Sequence, residues 1–263
     1  MGDTALRELL YEVRGTTGWV TLNRPEARNA LTFAMYDRLA EICANVPDDG
    51  SVKAIVVTGA GDKAFAAGTD MTQFRAFNEP QDALDYEHRM DRVFGAVEAC
   101  PVPTVAAIAG ACTGGGAGIA AACDIRIATQ DLKFGFPIAR TLGNTLSIAN
   151  LSRLAALIGA GRVKEVIFTA RLVGAEEAAA IGLVSEILPD HAALMARASA
   201  LADQFAGHAP LTLSTTKEAL RRLRVKGAEA DDRDLIIKAY MSNDFREGME
   251  AFLSKRKPAW KGR

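Results

Sequence analysis

The chain has 263 residues, 49% of them hydrophobic and 24% charged, with a formal net charge of −1. That composition suits a globular protein with room for one large domain, or a domain plus an appendage. So small a net charge argues against nucleic-acid or membrane-surface partners, and every long apolar stretch is interrupted by Pro, Gly or charge, so no membrane span is expected.

Residues 1–14 include Asp3, Glu8 and Glu12 and lack an apolar core of leader length, so no targeting segment is expected. Residues 9–14 and 19–23 alternate around Gly15-Thr16-Thr17-Gly18, which reads as a β-hairpin. Thr32 is a candidate N-cap for an amphipathic helix with Met35, Leu39, Ile42 and Val46 on one face. Pro47-Asp48-Asp49-Gly50 ends that helix, and residues 54–58 read as a buried strand. Residues 74–81 look loose and are interrupted by Pro80; a helix over 82–100 follows. Beyond Pro101 comes the apolar run 103–108, another buried strand.

Gly114, Gly115 and Gly116 then open a small-residue helix running to Ala122. A helix start leaves N–H groups without internal partners, and the helix dipole adds positive potential there. Glycine also lets the backbone approach a ligand closely. Such a junction can hold an anion or a developing oxyanion, or can simply allow tight helix–strand packing. From Ser147 to Lys255 the pattern is almost wholly helical, broken by a short strand over 185–188 and by Pro189 and Pro210. Segments 211–223 and 228–241 could pack outside the main body. Cys43, Cys100, Cys112 and Cys123 lack metal-ligand spacing and sit in apolar surroundings, so they read as free thiols of a cytoplasmic protein. With three histidines in all, no metal site is expected. The basic end (Lys255, Arg256, Lys257, Lys261 and Arg263) reads as a solvated tail or as a phosphate contact. Periodicity alone gives an α/β fold.

Six ordered segments resemble the crotonase (enoyl-CoA hydratase/isomerase) superfamily. They are NRPEARNAL from Asn23, AIVVTGAGDKAFAAGTDM from Ala54, the glycine stretch, CDIRIA from Cys123, TARLVGAEEAAAIGLV from Thr169 and REGMEAF from Arg246. The resemblance runs from about Val13 to Lys257. It implies a spiral of ββα turns over residues 1–195. It also implies a C-terminal helical region, 196–263, that is no independent domain and builds a homotrimer or homohexamer. It implies an acyl-CoA substrate, coenzyme A being part of that substrate, and no other cofactor. The thioester oxygen would rest on the backbone N–H groups of Thr69 and Gly115. Coenzyme A would touch Arg28 and Ala30, and Phe252 and Lys255 would reach the coenzyme A of a neighbouring subunit.

The chain departs from the family where a hydratase carries its two glutamates. Those positions are Gly118 and Ile138, and neither side chain holds a proton. Two carboxylates are needed to activate water while protonating the α-carbon, so the standard hydratase set is absent. The single-glutamate isomerase set fails too, because its base would sit at Ile138. Gly118, Phe136 and Ile138 instead suggest an apolar acyl pocket. Candidate replacements are Glu87, His88, Arg140 and Asn144, from the helix and the loop that flank the acyl group in the family. Asp70 and Asp124 match structural positions. The expected function is an acyl-CoA-processing lyase or isomerase with a nonstandard acid/base set. The alternative is a CoA-ester-binding paralogue with little catalysis.

Overall fold

The computed structural model describes residues 7–263; the part of the leader reading that rests on residues 1–6 lies outside them. β1 (Leu9–Arg14) and β2 (Thr17–Leu22) form the expected antiparallel hairpin, with Arg14 opposite Thr17 and Gly15 at φ +60° in the two-residue turn. β2 then lies parallel to β3 (Ala54–Gly59), which begins a parallel run through β5 (Thr104–Ile108), β7 (Ile125–Thr129) and β10 (Glu186–Leu188). A smaller second sheet orders β4 (Ala64–Ala66), β6 (Ala111–Thr113), β8 (Lys133–Gly135) and β9 (Val173–Gly174).

Successive turns of chain give one strand to each sheet and then a helix. β3 and β4 lead to α2 (Pro80–Glu98), β5 and β6 to α3 (Gly115–Ala122), and β7 and β8 to α4 (Ile138–Thr141) and α5 (Ile148–Thr169). This is the repeating ββα order that the resemblance implied. α1 (Phe33–Ala44) precedes β3, and the Thr32 hydroxyl caps it by accepting from Met35 N–H at 3.3 Å.

Two boundaries differ from expectation. Pro80 does not interrupt a loop; it is the first residue of α2, where its missing N–H would have had no helical partner. Asp82 closes that end by accepting from the N–H groups of Asn78 and Glu79. The apolar run of β5 also does not feed the glycine helix directly. Gly110 turns the chain at φ +60°, where a Cβ would strike Lys63 O at 2.2 Å, and the short β6 intervenes.

The large sheet is buried on both faces. Along β3, Ile55 and Val57 join a core shared with α1, α2 and α3, while Ala54 and Val56 face α7 (His191–Ala206), which follows α6 (Ala175–Ala180). Leu194, Ala198 and Ala202 of α7 are fully buried against that sheet. A division at residue 195 would pass through α7, so the helical appendage, as packed, begins with α8 (Pro210–Lys226). α8 buries no residue fully; Lys217 ties it to the core through Asp124 Oδ2 at 2.5 Å and Val102 O at 3.0 Å. Asp124 also accepts from Thr104 N–H and its hydroxyl, a joint between elements. α9 (Arg233–Tyr240) and α10 (Asn243–Leu253) leave Ile237, Tyr240, Phe252 and Leu253 exposed. The four cysteines are buried and free. Among the described residues no helix is long and apolar enough to cross a membrane, and no group of three or more His, Cys, Asp or Glu side chains could hold a metal ion.

Candidate active site

A cavity of about 380 Å³ opens where the end of β4, the start of α3, the middle of α2 and the α4 segment meet. Thr69 and Gly115 both line it. Thr69 sits in a parallel bridge with Leu31: Leu31 N–H donates to Gly68 O at 2.8 Å and Asp70 N–H to Leu31 O at 2.8 Å. That pattern uses the groups on either side of the Thr69 N–H and leaves this N–H out of the bridge. Gly115 opens α3, so its N–H has no intrahelical acceptor.

The glycines at the start of α3 are each required, one by its backbone conformation and two by a close neighbour. Gly114 holds φ +52°, ψ −120°, a conformation costly for any residue with a Cβ. A Cβ on Gly115 would lie 1.7 Å from the Tyr36 hydroxyl oxygen, and one on Gly116 would lie 2.4 Å from Ala66 O. Tyr36, on α1, is fully buried behind Gly115. Its hydroxyl meets Thr69 Oγ1 at 2.8 Å, and Thr69 Oγ1 meets the Tyr86 hydroxyl at 3.0 Å. Burial pushes the Tyr36 phenol well above its ordinary value, with the neighbouring Tyr86 adding to the shift. Tyr86 is raised too, again chiefly by burial, so both stay protonated across the physiological range.

Of the sequence candidates, Glu87, Asn144, Phe136 and Ile138 line the same cavity, and Glu87 is the one carboxylate among its described lining residues. Burial, then the charge of Asp91, raises the Glu87 pKa, while the Ser147 N–H that it accepts at 3.0 Å opposes the shift. Ser147 caps α5, so Glu87 also sits at the positive end of a helix dipole. His88 and Arg140 are exposed and do not line the cavity.

Gly118 does not line the cavity either. It is buried under Phe94, and a Cβ there would stand 2.5 Å from the ring. Phe94, not Gly118, therefore provides the apolar wall at that point. Arg28 is exposed at φ +51° and does not line the cavity, though its carbonyl accepts from Ala67 N–H of the lining at 3.0 Å; its guanidinium makes no hydrogen bond or ion pair among the described residues. The carbonyl of Ala30 is taken by Arg24 Nη1 at 2.7 Å. Phe252 and Lys255 lie exposed at the end of α10, away from the cavity lining. Sequence reasoning missed Tyr36 and Tyr86. On a helix a lone tyrosine reads as half-buried packing, and nothing in the spacing announces that two of them meet one threonine.

A family model described as enoyl-CoA hydratase/isomerase matches residues 12–263. A short-chain-enoyl-CoA hydratase from Clostridium acetobutylicum is 33% identical over 255 residues, covering 96% of this chain and 97% of that protein. A mitochondrial Δ3,5-Δ2,4-dienoyl-CoA isomerase from Rattus norvegicus is 36% identical over 209 residues, covering 75% of this chain and 63% of that protein. Among solved structures, an enoyl-CoA hydratase/carnithine racemase from Magnetospirillum magneticum superposes with a TM-score of 0.89 at 33% identity, over 97% of this chain and 96% of that one.

Proposed function

Because the chain belongs to the enoyl-CoA hydratase/isomerase family, we propose that it moves a proton on the acyl group of a CoA thioester, with Glu87 as the base. The thioester oxygen accepts from Thr69 N–H and Gly115 N–H. These preset donors stabilise the charge that develops there by about 3 kcal/mol each. The Glu87 carboxylate takes a proton from an acyl carbon, and the C–H electron pair passes into the enolate held by the two N–H groups. Return of that proton to another carbon of the conjugated system restores the carboxylate and shifts the double bond. No water enters and no cofactor beyond the coenzyme A of the substrate takes part. Arg28 meets a phosphate or the pantetheine arm at the rim.

The observation that carries this reading is Glu87 as the one carboxylate among the described lining residues of a cavity shared with Thr69 and Gly115. A single acid/base group suits proton transfer between carbons, whereas hydration needs a second group to handle the water. Exchange of acyl α-protons in D₂O, followed by NMR with 2-enoyl- and 3-enoyl-CoA esters, tests it. Exchange and interconversion of the two isomers are expected, with slow hydration of crotonyl-CoA; fast hydration without isomerisation would refute it. One contact favours the second reading, a CoA-ester-binding protein with little turnover: the Ser147 N–H already occupies one Glu87 oxygen. Tight binding without exchange is its signature.

The exposed apolar faces of α8–α10, with Leu220, Ile237, Tyr240 and Met241 all more than half exposed, support a homotrimer or a homohexamer. Light scattering should give at least three times the 28.0 kDa chain mass. A stable monomer would remove that assembly and with it Phe252 and Lys255 as cross-subunit contacts.

A further inference from the structure

The three hydroxyls of Tyr36, Thr69 and Tyr86 form a chain whose inner link is oriented by burial. Tyr36 is fully buried, and Thr69 Oγ1 is the one hydrogen-bond partner of its hydroxyl among the described residues. A buried O–H without an acceptor is costly, so Tyr36 donates to Thr69. Among the described residues Thr69 Oγ1 has one other partner, the Tyr86 oxygen at 3.0 Å; either can donate, and that oxygen is the one acceptor on hand for the Thr69 hydrogen. The Tyr86 O–H is then left over. It makes no hydrogen bond to the adjacent Glu87, and Tyr86 lines the cavity. The Tyr86 ring is held edge-on by Phe74, with centroids 4.9 Å apart at 68°, and by Phe77 at 6.1 Å.

We infer that Tyr86 is a specificity-determining donor that recognises an oxygen, hydroxyl or carbonyl, on the acyl group itself, and that Thr69 and Tyr36 are positioning residues acting through it. The oxygen lies within the first few carbons of the thioester, because Tyr86 is one hydrogen bond from the residue whose N–H holds the thioester carbonyl. Of the cavity lining, Met90, Phe94, Phe136 and Ile138 offer no donor, whereas Asn144 and Asn150 do. Burial keeps the phenol neutral, so it donates a hydrogen bond and does not hand over its proton. The threonine hydroxyl at position 69 thus has a task separate from that of its backbone N–H. The inference rests on the CoA-thioester reading of the cavity.

The test is calorimetric binding of butyryl-CoA and 3-hydroxybutyryl-CoA, which differ by one hydroxyl, to the unmodified protein and to Tyr86→Phe, Thr69→Ala and Thr69→Ser. The unmodified protein should prefer the hydroxylated ester by roughly three- to tenfold, the worth of one neutral hydrogen bond. Tyr86→Phe should bring the ratio to about one. Thr69→Ala, with Tyr86 in place, should lower the ratio, and Thr69→Ser should restore it, which a merely structural role for the methyl group would not do. A ratio of one in the unmodified protein overturns the inference. So does equal weakening of both esters by Tyr86→Phe, which would put the phenol on the thioester oxygen. Binding of both esters without preference leaves the CoA-thioester reading standing, whereas binding of neither removes that reading and this inference with it.

Discussion

The two sides of the cavity are built from different materials. On the proposed oxyanion side the donors are backbone, and their surroundings close off alternatives. Gly115 and Gly116 are pressed by Tyr36 and Ala66, and the segment carrying Thr69 is tied to Leu31 by bonds on either side. Elsewhere in the lining stand Glu87, Ile138, Leu142 and Asn144, presented by α2 and by the segment after β8. There a side chain can change without moving the backbone that carries it. Under the proposed mechanism, a chain of this fold can keep its grip on the thioester while replacing the groups that move protons.

Removing the proton carrier should do the most damage. Glu87→Gln keeps the shape and the Ser147 contact but cannot take a proton, so turnover should fall by ~10²–10⁴-fold with acyl-CoA affinity little changed. The pH profile of the unmodified protein sharpens this. Burial raises the Glu87 pKa, so the base is lost as pH falls through a value above the ordinary carboxylate one. Activity should be full above that value and drop below it, and Glu87→Gln should abolish this acid limb. A profile unchanged by the substitution would place the base elsewhere.

Gly115→Ala attacks the other side. The new methyl would sit on the Tyr36 hydroxyl oxygen, so either α1 or the start of α3 must move. Misplacing one oxyanion donor should cost about 10²–10³-fold in turnover. Adding Tyr36→Phe removes the nearest clashing atom and should recover part of the loss; steady-state kinetics on the three variants read the coupling directly. Independent losses would mean that Tyr36 does not fix the Gly115 backbone.

The same contrast explains what the sequence reveals. The hairpin at Gly15, the Thr32 cap and the buried strand at Ala54 follow from local rules and stand where those rules put them. The glycine stretch at 114–116 is legible because glycines mark the chain. β4, β6, β8 and β9 are two or three residues long, too short to show a period of two, so the second sheet is invisible before folding. Pro80 reads as a break because a proline that starts a helix and one that ends a loop look alike in sequence. The hydroxyl chain of Tyr36, Thr69 and Tyr86 brings together α1, the segment after β4 and α2, and no local pattern records such a meeting.

The smallest expected effect concerns Gly118, where restoring a hydratase-like glutamate looks simple on sequence grounds. The fold says otherwise. Gly118 lies on α3, which is buried along nearly its whole length, and the Phe94 ring covers it closely enough that a Cβ would be 2.5 Å and 2.6 Å from two ring carbons. Phe94 is itself buried and meets Tyr36 edge-on, with centroids 6.3 Å apart. A ring displaced by Gly118→Glu would thus disturb the residue behind Gly115. Overpacking of this kind costs roughly 1–3 kcal/mol, and the new carboxylate would be buried against an aromatic face with no partner. The single variant should therefore melt at a lower temperature and hydrate crotonyl-CoA no faster than the unmodified protein. Room for the glutamate requires Phe94→Ala, and the second carboxylate requires Ile138→Glu. Loss of the enoyl absorbance should accelerate only when all three changes are combined. A single Gly118→Glu variant with an unchanged melting temperature and faster hydration would show that Phe94 swings aside freely, and the apolar wall would then be a movable side chain on a rigid oxyanion frame.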